Sequence, residues 1–145
     1  MLSLHGYGPS IFEGTVLTLE VSLASLIIAM LLGICGALAK LSGARSLRLV
    51  AQVYTTIIRG IPDLVLMLLI FFGGQVLINQ LGPMIGYDDY IDINPFIAGV
   101  STIGFIFGAY MTETFRGAIL AVNRGQLEAG TAYGMSSFMV FRRIT

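Results

Sequence analysis

The chain has 145 residues, the length of one ordinary domain, yet only 11% of them are charged, against about 25% in soluble globular domains. With 56% apolar residues, it carries more apolar surface than one domain can bury, so lipid or another apolar subunit must cover the surplus. Eight acids and eight bases cancel, which removes any whole-chain attraction to nucleic acid, the single Cys rules out an intrachain disulfide, and the single His argues against a protein-only zinc site.

Uncharged runs of about 20 residues are what a hydrocarbon layer of about 30 Å demands of a helix, and three occur here. The first is Val21 to Ala39, 19 residues, extending back past Glu20 to about Thr15. Ala37-Leu38-Ala39 imitates a signal-peptide cleavage site, but no Lys or Arg precedes it, Glu13 and Glu20 do, and the apolar stretch is too long. It is therefore expected to be a retained first span, with His5 solvated ahead of it. Gly33 and Ala37 are spaced four apart and offer a small-xxx-small packing face.

Next comes a basic loop with Lys40, Arg45 and Arg48. Arg59-Gly60-Ile61-Pro62-Asp63 then interrupts the apolar pattern, because Gly costs about 1 kcal/mol and Pro about 3 kcal/mol in a helix interior. Two registers fit: one broken span from about residue 50, or a lead-in followed by a span starting near Ile61. The second uncharged run, Leu64 to Tyr87, has 24 residues and is followed by an acidic loop with Asp88, Asp89 and Asp92. The third, Ile93 to Thr112, has 20 residues and extends past Glu113 towards Val122, with Gly104 and Gly108 as a second small face. The expected spans are about 15–39, 50–78 and 95–122. Without water to satisfy backbone amides, and without barrel-type alternation, all three are expected to be helices, so the fold class is an all-α polytopic membrane protein. The basic loop and the later Arg124, Arg142 and Arg143 place that side in the cytoplasm and the N-terminus outside.

Ionised acids within spans are costly and are normally aimed at a cavity or a partner, which singles out Glu20 and Asp63. If the second span starts near residue 50, counting along the helices puts the two at nearly the same depth, where they could line one cation path. Set against this, Asp63 after Pro62 suits the first turn of a helix, where the dipole favours an anion, and Glu20 suits an interface. Arg59 is expected to pair with Asp63 or with lipid phosphate, and Glu113 with Arg116 at i, i+3. Cys35 and the seven Met are read as packing residues.

The segment from Asn123 to Thr145 is too polar to span. Met135, Phe138 and Phe141 would form one apolar stripe of a helix after a bend at Gly134, lying at the inner surface or docking into a partner groove. Glu128 falls at the start of that helix, where an N-terminal cap or a partner contact would use the same geometry.

Glu128-Ala129-Gly130, then Gly134, then Ile144 nine residues later, resembles the cytoplasmic EAA loop of bacterial ATP-binding-cassette importer permeases, with Gly130 where that family carries Ala. Gly14-Thr15, Thr18-Leu19-Glu20, Arg59-Gly60-Ile61-Pro62, Gly108-Ala109-Tyr110, Glu113 and Arg116-Gly117-Ala118 resemble its polar amino-acid branch. Asp63 is similar to the permeases for histidine, lysine, arginine and ornithine. That branch has five spans, so the resemblance implies the N-terminal part of one importer transmembrane domain, in the bacterial inner membrane. It also implies that Glu128, Ala129, Gly130 and Gly134 couple to a separate ATPase subunit, and that Glu20 and Asp63 lie on the path of a basic or other polar amino acid. Arg59, Pro62, Glu113 and Arg116 would be gating or structural. The implied partners are that ATPase, a second homologous or identical permease subunit, an outside amino-acid-binding protein and membrane lipid. No cofactor is expected on this chain and no enzyme activity of its own: the phosphate-cradling Gly-rich loop with Lys-Ser/Thr does not occur in it, so ATP would be used by the partner. The alternative is a channel or ion-coupled carrier subunit using intramembrane acids for protons or cations.

Overall fold

The computed structural model describes residues 6–86 and 89–144; His5, Tyr87, Asp88 and Thr145, which entered the expectations above, lie outside the described residues. Six α-helices follow in order: α1 Gly8–Leu41, α2 Arg45–Gly60, α3 Asp63–Leu81, α4 Pro95–Ala121, α5 Arg124–Ala132 and α6 Ser137–Ile144, with a 3₁₀ turn at Gly82–Ile85 after α3. No strand occurs among the described residues. Among the described residues, three helical stretches are long and apolar enough to cross a membrane: Gly8–Leu41, Asp63–Met84 and Pro95–Ala121.

α1 starts earlier than the charge pattern predicts, because Pro9 sits in its first turn, where a missing N–H costs nothing. Its 34 residues give about 51 Å of helix, so it projects beyond a 30 Å hydrocarbon layer or tilts within it. The interrupted segment resolves into two helices. α2 ends at Gly60, Ile61 is extended, and α3 begins at Asp63 directly after Pro62, so the expected 50–78 stretch is not one continuous helix. The physical cause is that Pro62 has no N–H to donate and biases Ile61 towards extended backbone. At the start of α4, Asn94 accepts a hydrogen bond from the backbone N–H of Phe96 at 2.8 Å, and Pro95 occupies the next position. Asn-Pro therefore begins α4 with a side-chain cap and a pre-set φ.

The bundle is built on a close seam between α1 and α4. Along α1, Ser25, Ala29, Gly33 and Ala37 are buried at four-residue intervals, one stripe of the helix. A Cβ placed on Gly33 would lie 2.5 Å from the Met111 Cβ, and one on Gly36 would overlap the Thr112 hydroxyl. From the other side, Cβ atoms on Gly104 and Gly108 would lie 2.8 Å and 2.9 Å from the Cβ atoms of Ile28 and Leu32. The two helices meet backbone to side chain, as small residues permit in a membrane. Ser25 donates to the Val100 carbonyl at 3.4 Å across the seam, and Thr112 donates to the Gly108 carbonyl at 2.8 Å within α4.

Each α4 residue in these pairs lies 75 to 78 positions after its α1 neighbour, so the two helices run parallel. A smaller apolar core, Ile58, Leu66, Ile106 and Ala109, joins α2, α3 and α4, with Tyr54 and Met67 packed against it. α3 buries little else: Leu64, Leu69 and Phe72 are all more than half exposed, an apolar surface that water would not tolerate at this density.

Candidate functional site

Charged side chains gather at the C-terminal ends of α1, α2 and α4. Lys40 continues the buried α1 stripe one turn past Ala37 and is 8% exposed. Its ammonium donates to the Thr55 hydroxyl of α2 at 2.6 Å and forms an ion pair with Glu113 of α4. The second carboxylate oxygen of Glu113 accepts from Arg116, at 3.0 Å from Nε and 2.9 Å from Nη2. The i, i+3 pair expected from spacing is thus present, but it is one half of a cluster that ties three helices together. Lys40 counts in the sequence as one more charge flanking a span. The signal that it is buried is its place at the end of the 25/29/33/37 stripe.

Six residues before Glu113 on α4 the aromatic pair Phe107 and Tyr110 begins, with ring centroids 6.0 Å apart. Tyr110 lies between two of the predicted site residues. Its hydroxyl donates to Asp63 at 2.8 Å, while the Arg59 guanidinium lies 5.6 Å from the centre of its ring. Arg59 and Asp63 do not pair directly as expected; the helix break at Ile61-Pro62 separates them and the phenol stands between. Pro62 therefore acts as the N-terminal boundary of α3 and sets Asp63 in its first turn, where the helix dipole favours its charge.

Glu20 stands apart. It is exposed on α1 and has no hydrogen-bond or ion-pair partner among the described residues. Through the parallel register, Glu20 is level with the start of α4 at Pro95, whereas Asp63 is level with Tyr110, about 22 Å further along the helix axis. The equal depth expected of the two acids does not occur, because α3 begins at Asp63 beside the middle of α4 and not partway up a span begun at residue 50.

A polar cleft of about 290 Å³ opens between α2 and α4, lined by Gln52, Thr55, Thr56, Arg59, Gly60, Glu113 and Arg116. At the opposite end of the bundle, Gln75 and Asn79 of α3 hold the segment before α4 by its backbone. Asn79 both donates to the Ile91 carbonyl at 2.9 Å and accepts from the Ile91 N–H at 2.8 Å, and Gln75 accepts from the Ile93 N–H at 3.1 Å. Two amides one helical turn apart thus replace the missing backbone partners of an extended segment.

The tail forms a separate unit, since α5 and α6 pack on each other and on no other helix. Asn123, not Glu128, caps α5, accepting from the Gly125 N–H at 2.9 Å. Glu128 is exposed in the middle of α5, so the capping role expected for it is not present; Asn-x-Gly directly after the apolar run was the overlooked start signal. Ala129 is exposed and Gly130 is buried.

α5 ends in a Schellman turn: the Gly134 N–H donates to the Thr131 carbonyl at 2.9 Å and the Met135 N–H to the Gly130 carbonyl at 3.1 Å. Gly134 has φ +79°, the left-handed region, and a Cβ there would meet open space, so backbone conformation and not crowding requires glycine. Met135 lies in this turn and not in the helix that follows, so the expected stripe reduces to Phe138 and Phe141, 72% and 55% exposed, beside Tyr133 at 87%. Exposed aromatic side chains on a helical pair that packs on no other helix among the described residues are what a docking element requires.

Residues 25–145 match the family described as binding-protein-dependent transport system inner membrane component. The chain belongs to this family. It is similar to the histidine/lysine/arginine/ornithine transport system permease protein HisQ of Salmonella typhimurium, 52% identical over 141 residues, covering 97% of this chain and 61% of that protein. The octopine transport system permease protein OccQ of Rhizobium meliloti is 40% identical over 148 residues, covering 99% and 62%. A crystal structure of an amino acid ABC transporter with histidines matches with a TM-score of 0.77 and 36% identity, covering 99% of this chain and 61% of that one. The chain thus spans about three-fifths of the length of the relatives it matches. Family and apolar helices together make it part of a multi-pass inner-membrane component of a transport system.

Proposed function

We propose that the chain supplies the first three spans and the coupling segment of the permease subunit of an ATP-driven importer for basic or other polar amino acids. The observation that carries this is the tail: an amphipathic helical pair, 124–144, separate from the bundle and presenting Tyr133, Phe138 and Phe141, in a chain 52% identical to a permease named for histidine, lysine, arginine and ornithine. In this reading the tail, through Glu128, Ala129, Gly130 and the Gly134 turn, docks on a separate ATPase subunit, which binds and uses the ATP. A second permease subunit completes the path, and an outside binding protein delivers the substrate. The N-terminus lies outside, as the basic loop after α1 and the acidic loop before α4 favour. Asp63 lies on the path near its middle and Glu20 towards its outer mouth, meeting the substrate in sequence because about 22 Å separates their levels.

The test is reconstitution of the full-length subunit with its ATPase, measuring arginine and histidine uptake. Uptake should need both ATP and a soluble binding protein; uptake driven by an ion gradient without ATP would establish the carrier reading instead. Orientation is checked in a Cys35→Ala background. A cysteine at Asp89 should react with an impermeant thiol reagent from outside and one at Ser46 should not, both positions being exposed.

A further inference from the structure

The α2–α4 cleft has an imbalance of charge. Glu113 is its one lining acid, and both oxygens of that carboxylate are taken, by Lys40 behind the cleft and by Arg116 at its edge. Arg59, also lining it, makes no ion pair among the described residues and rests against the face of Tyr110. The cleft therefore carries surplus positive charge at a fixed place. Tyr110 lies 11 residues, about 16 Å, from the end of α4, so this guanidinium sits at hydrocarbon depth or close to it. An arginine at such depth normally faces an anion or a water-filled cavity. At the hydroxyl of the same phenol is Asp63, which among the described residues accepts a side-chain hydrogen bond from Tyr110 alone. The break at Ile61-Pro62 and the ring of Tyr110 thus keep a cation and an anion from neutralising each other.

We propose that this cleft is a carboxylate subsite on the translocation path, in which Arg59 receives the carboxylate of the passing amino acid while Asp63 holds its cationic end. The inference rests on the transport function proposed above and adds to it the group that reads the carboxylate. A planar guanidinium presents two parallel N–H groups to a carboxylate, and Gln52 and Thr56 beside it offer further polar contacts. A cleft of about 290 Å³ admits the head group of an amino acid. Arg116, held by Glu113 one turn beyond, continues the positive edge towards the end of α4, so the carboxylate leads on release.

The experiment uses the full-length permease–ATPase complex without the binding protein, and compares radiolabelled arginine with agmatine, which has the same guanidinium and no carboxylate. Arginine should bind at least tenfold more tightly than agmatine. Arg59→Gln should bring arginine down to the agmatine level while leaving agmatine unchanged, and Arg59→Lys should recover part of the difference. Equal binding of the two ligands by the parent complex, which needs no variant to fold, overturns the subsite, as does equal loss of both in Arg59→Gln. A lipid phosphate is distinguished by repeating the measurement in bilayers of phosphatidylcholine with and without phosphatidylglycerol. Arg59-dependent retention of phosphatidylglycerol with no preference for arginine over agmatine assigns the cleft to lipid and overturns the proposal. A parent complex that fails to take up arginine even when ATP and the binding protein are supplied speaks against the importer reading itself, whereas one that transports arginine under those conditions yet binds both ligands equally overturns only the subsite.

Discussion

The α1–α4 seam and the α5–α6 tail are both helical, but they meet opposite demands. In the seam, Gly33, Gly36, Gly104 and Gly108 bring two helices to backbone distance, and Ala29 and Ala37 are 1% exposed. All its needs are met inside the chain, down to the hydroxyl of Ser25. The tail leaves Tyr133, Phe138 and Phe141 uncovered, and its two helices touch only each other. Helix packing in lipid gains from close contact and from satisfied polar groups, so the seam is where stability resides; the tail is stable enough to be shaped and incomplete enough to dock. The contrast predicts that seam substitutions lower folding while tail substitutions spare folding and lower coupling.

The largest effect on folding should come from Lys40→Met at the end of the seam. It leaves Glu113 18% exposed with only Arg116, and removing one partner of a buried pair generally costs about 3–5 kcal/mol. Membrane-inserted protein at matched expression should fall several-fold, with earlier thermal unfolding in detergent. The paired change Lys40→Met with Glu113→Leu should recover part of it, since it removes the buried carboxylate as well and leaves without its partner only Arg116, whose side chain is 37% exposed. An unchanged melting temperature for Lys40→Met would show that the cluster does not hold the seam.

Next in size is Gly36→Val. Its side chain would have to displace Thr112, which is fully buried, and overpacking of this kind costs about 1–3 kcal/mol. Gly14→Val on the same helix, where a Cβ meets nothing, is the control and should be close to neutral. Equal melting temperatures for the two variants would remove the basis for a close seam.

How much of this was legible in the sequence follows the same division. Span positions are set by local chemistry, the length of uncharged runs and the Asn94-Pro95 and Pro62-Asp63 boundaries, and these read directly from neighbouring residues. Gly33/Ala37 and Gly104/Gly108 are legible as small faces, but not that both enter one seam against larger side chains of the other helix, because the offset of 75 to 78 positions between α1 and α4 is a property of the assembled pair. Lys40 was counted as a flanking charge for that reason: its partners, Thr55 and Glu113, lie 15 and 73 positions away. Tyr110 between Arg59 and Asp63 was missed for the same reason, since no spacing rule connects a residue at a helix break with one 47 positions on. In the tail the error was local. Glu128 falls inside α5 and not at its start, because Asn before Arg-Gly supplies the side-chain acceptor that opens the helix five residues earlier.

Gly134→Asp moves the comparison to the tail. Any side chain at φ +79° strains the turn by about 1–2 kcal/mol, somewhat less for Asp, and the open space around it adds no clash. Insertion and protein level should stay near normal. The angle between α5 and α6 is set by this turn, and a charge is added beside the aromatic patch, so co-purification of the ATPase and substrate-stimulated hydrolysis should be lost in the complete transporter. Retention of both at full strength would mean that 124–144 is not the coupling segment.

The smallest effect belongs to Glu128→Ala, which separates the two roles the sequence left open for this residue. A capping role would make the change cost α5 about 1 kcal/mol, and helix content in an isolated tail would fall. With Asn123 supplying the cap and Glu128 exposed in mid-helix, alanine should leave the helix unchanged or slightly stronger, because its intrinsic propensity is higher. On the docking proposed above, what remains for the carboxylate is a contact with the ATPase. Loss of one polar contact with a partner is worth about 1 kcal/mol, a weakening of the ATPase complex of roughly fivefold. The measurement is the dissociation constant of the permease–ATPase complex for Glu128→Ala beside Asn123→Ala. Asn123→Ala should reduce helix content with a secondary loss of affinity, and Glu128→Ala should reduce affinity alone. The opposite assignment, with Glu128→Ala melting the helix, would return the cap to Glu128 and leave the tail without a charged contact for its partner.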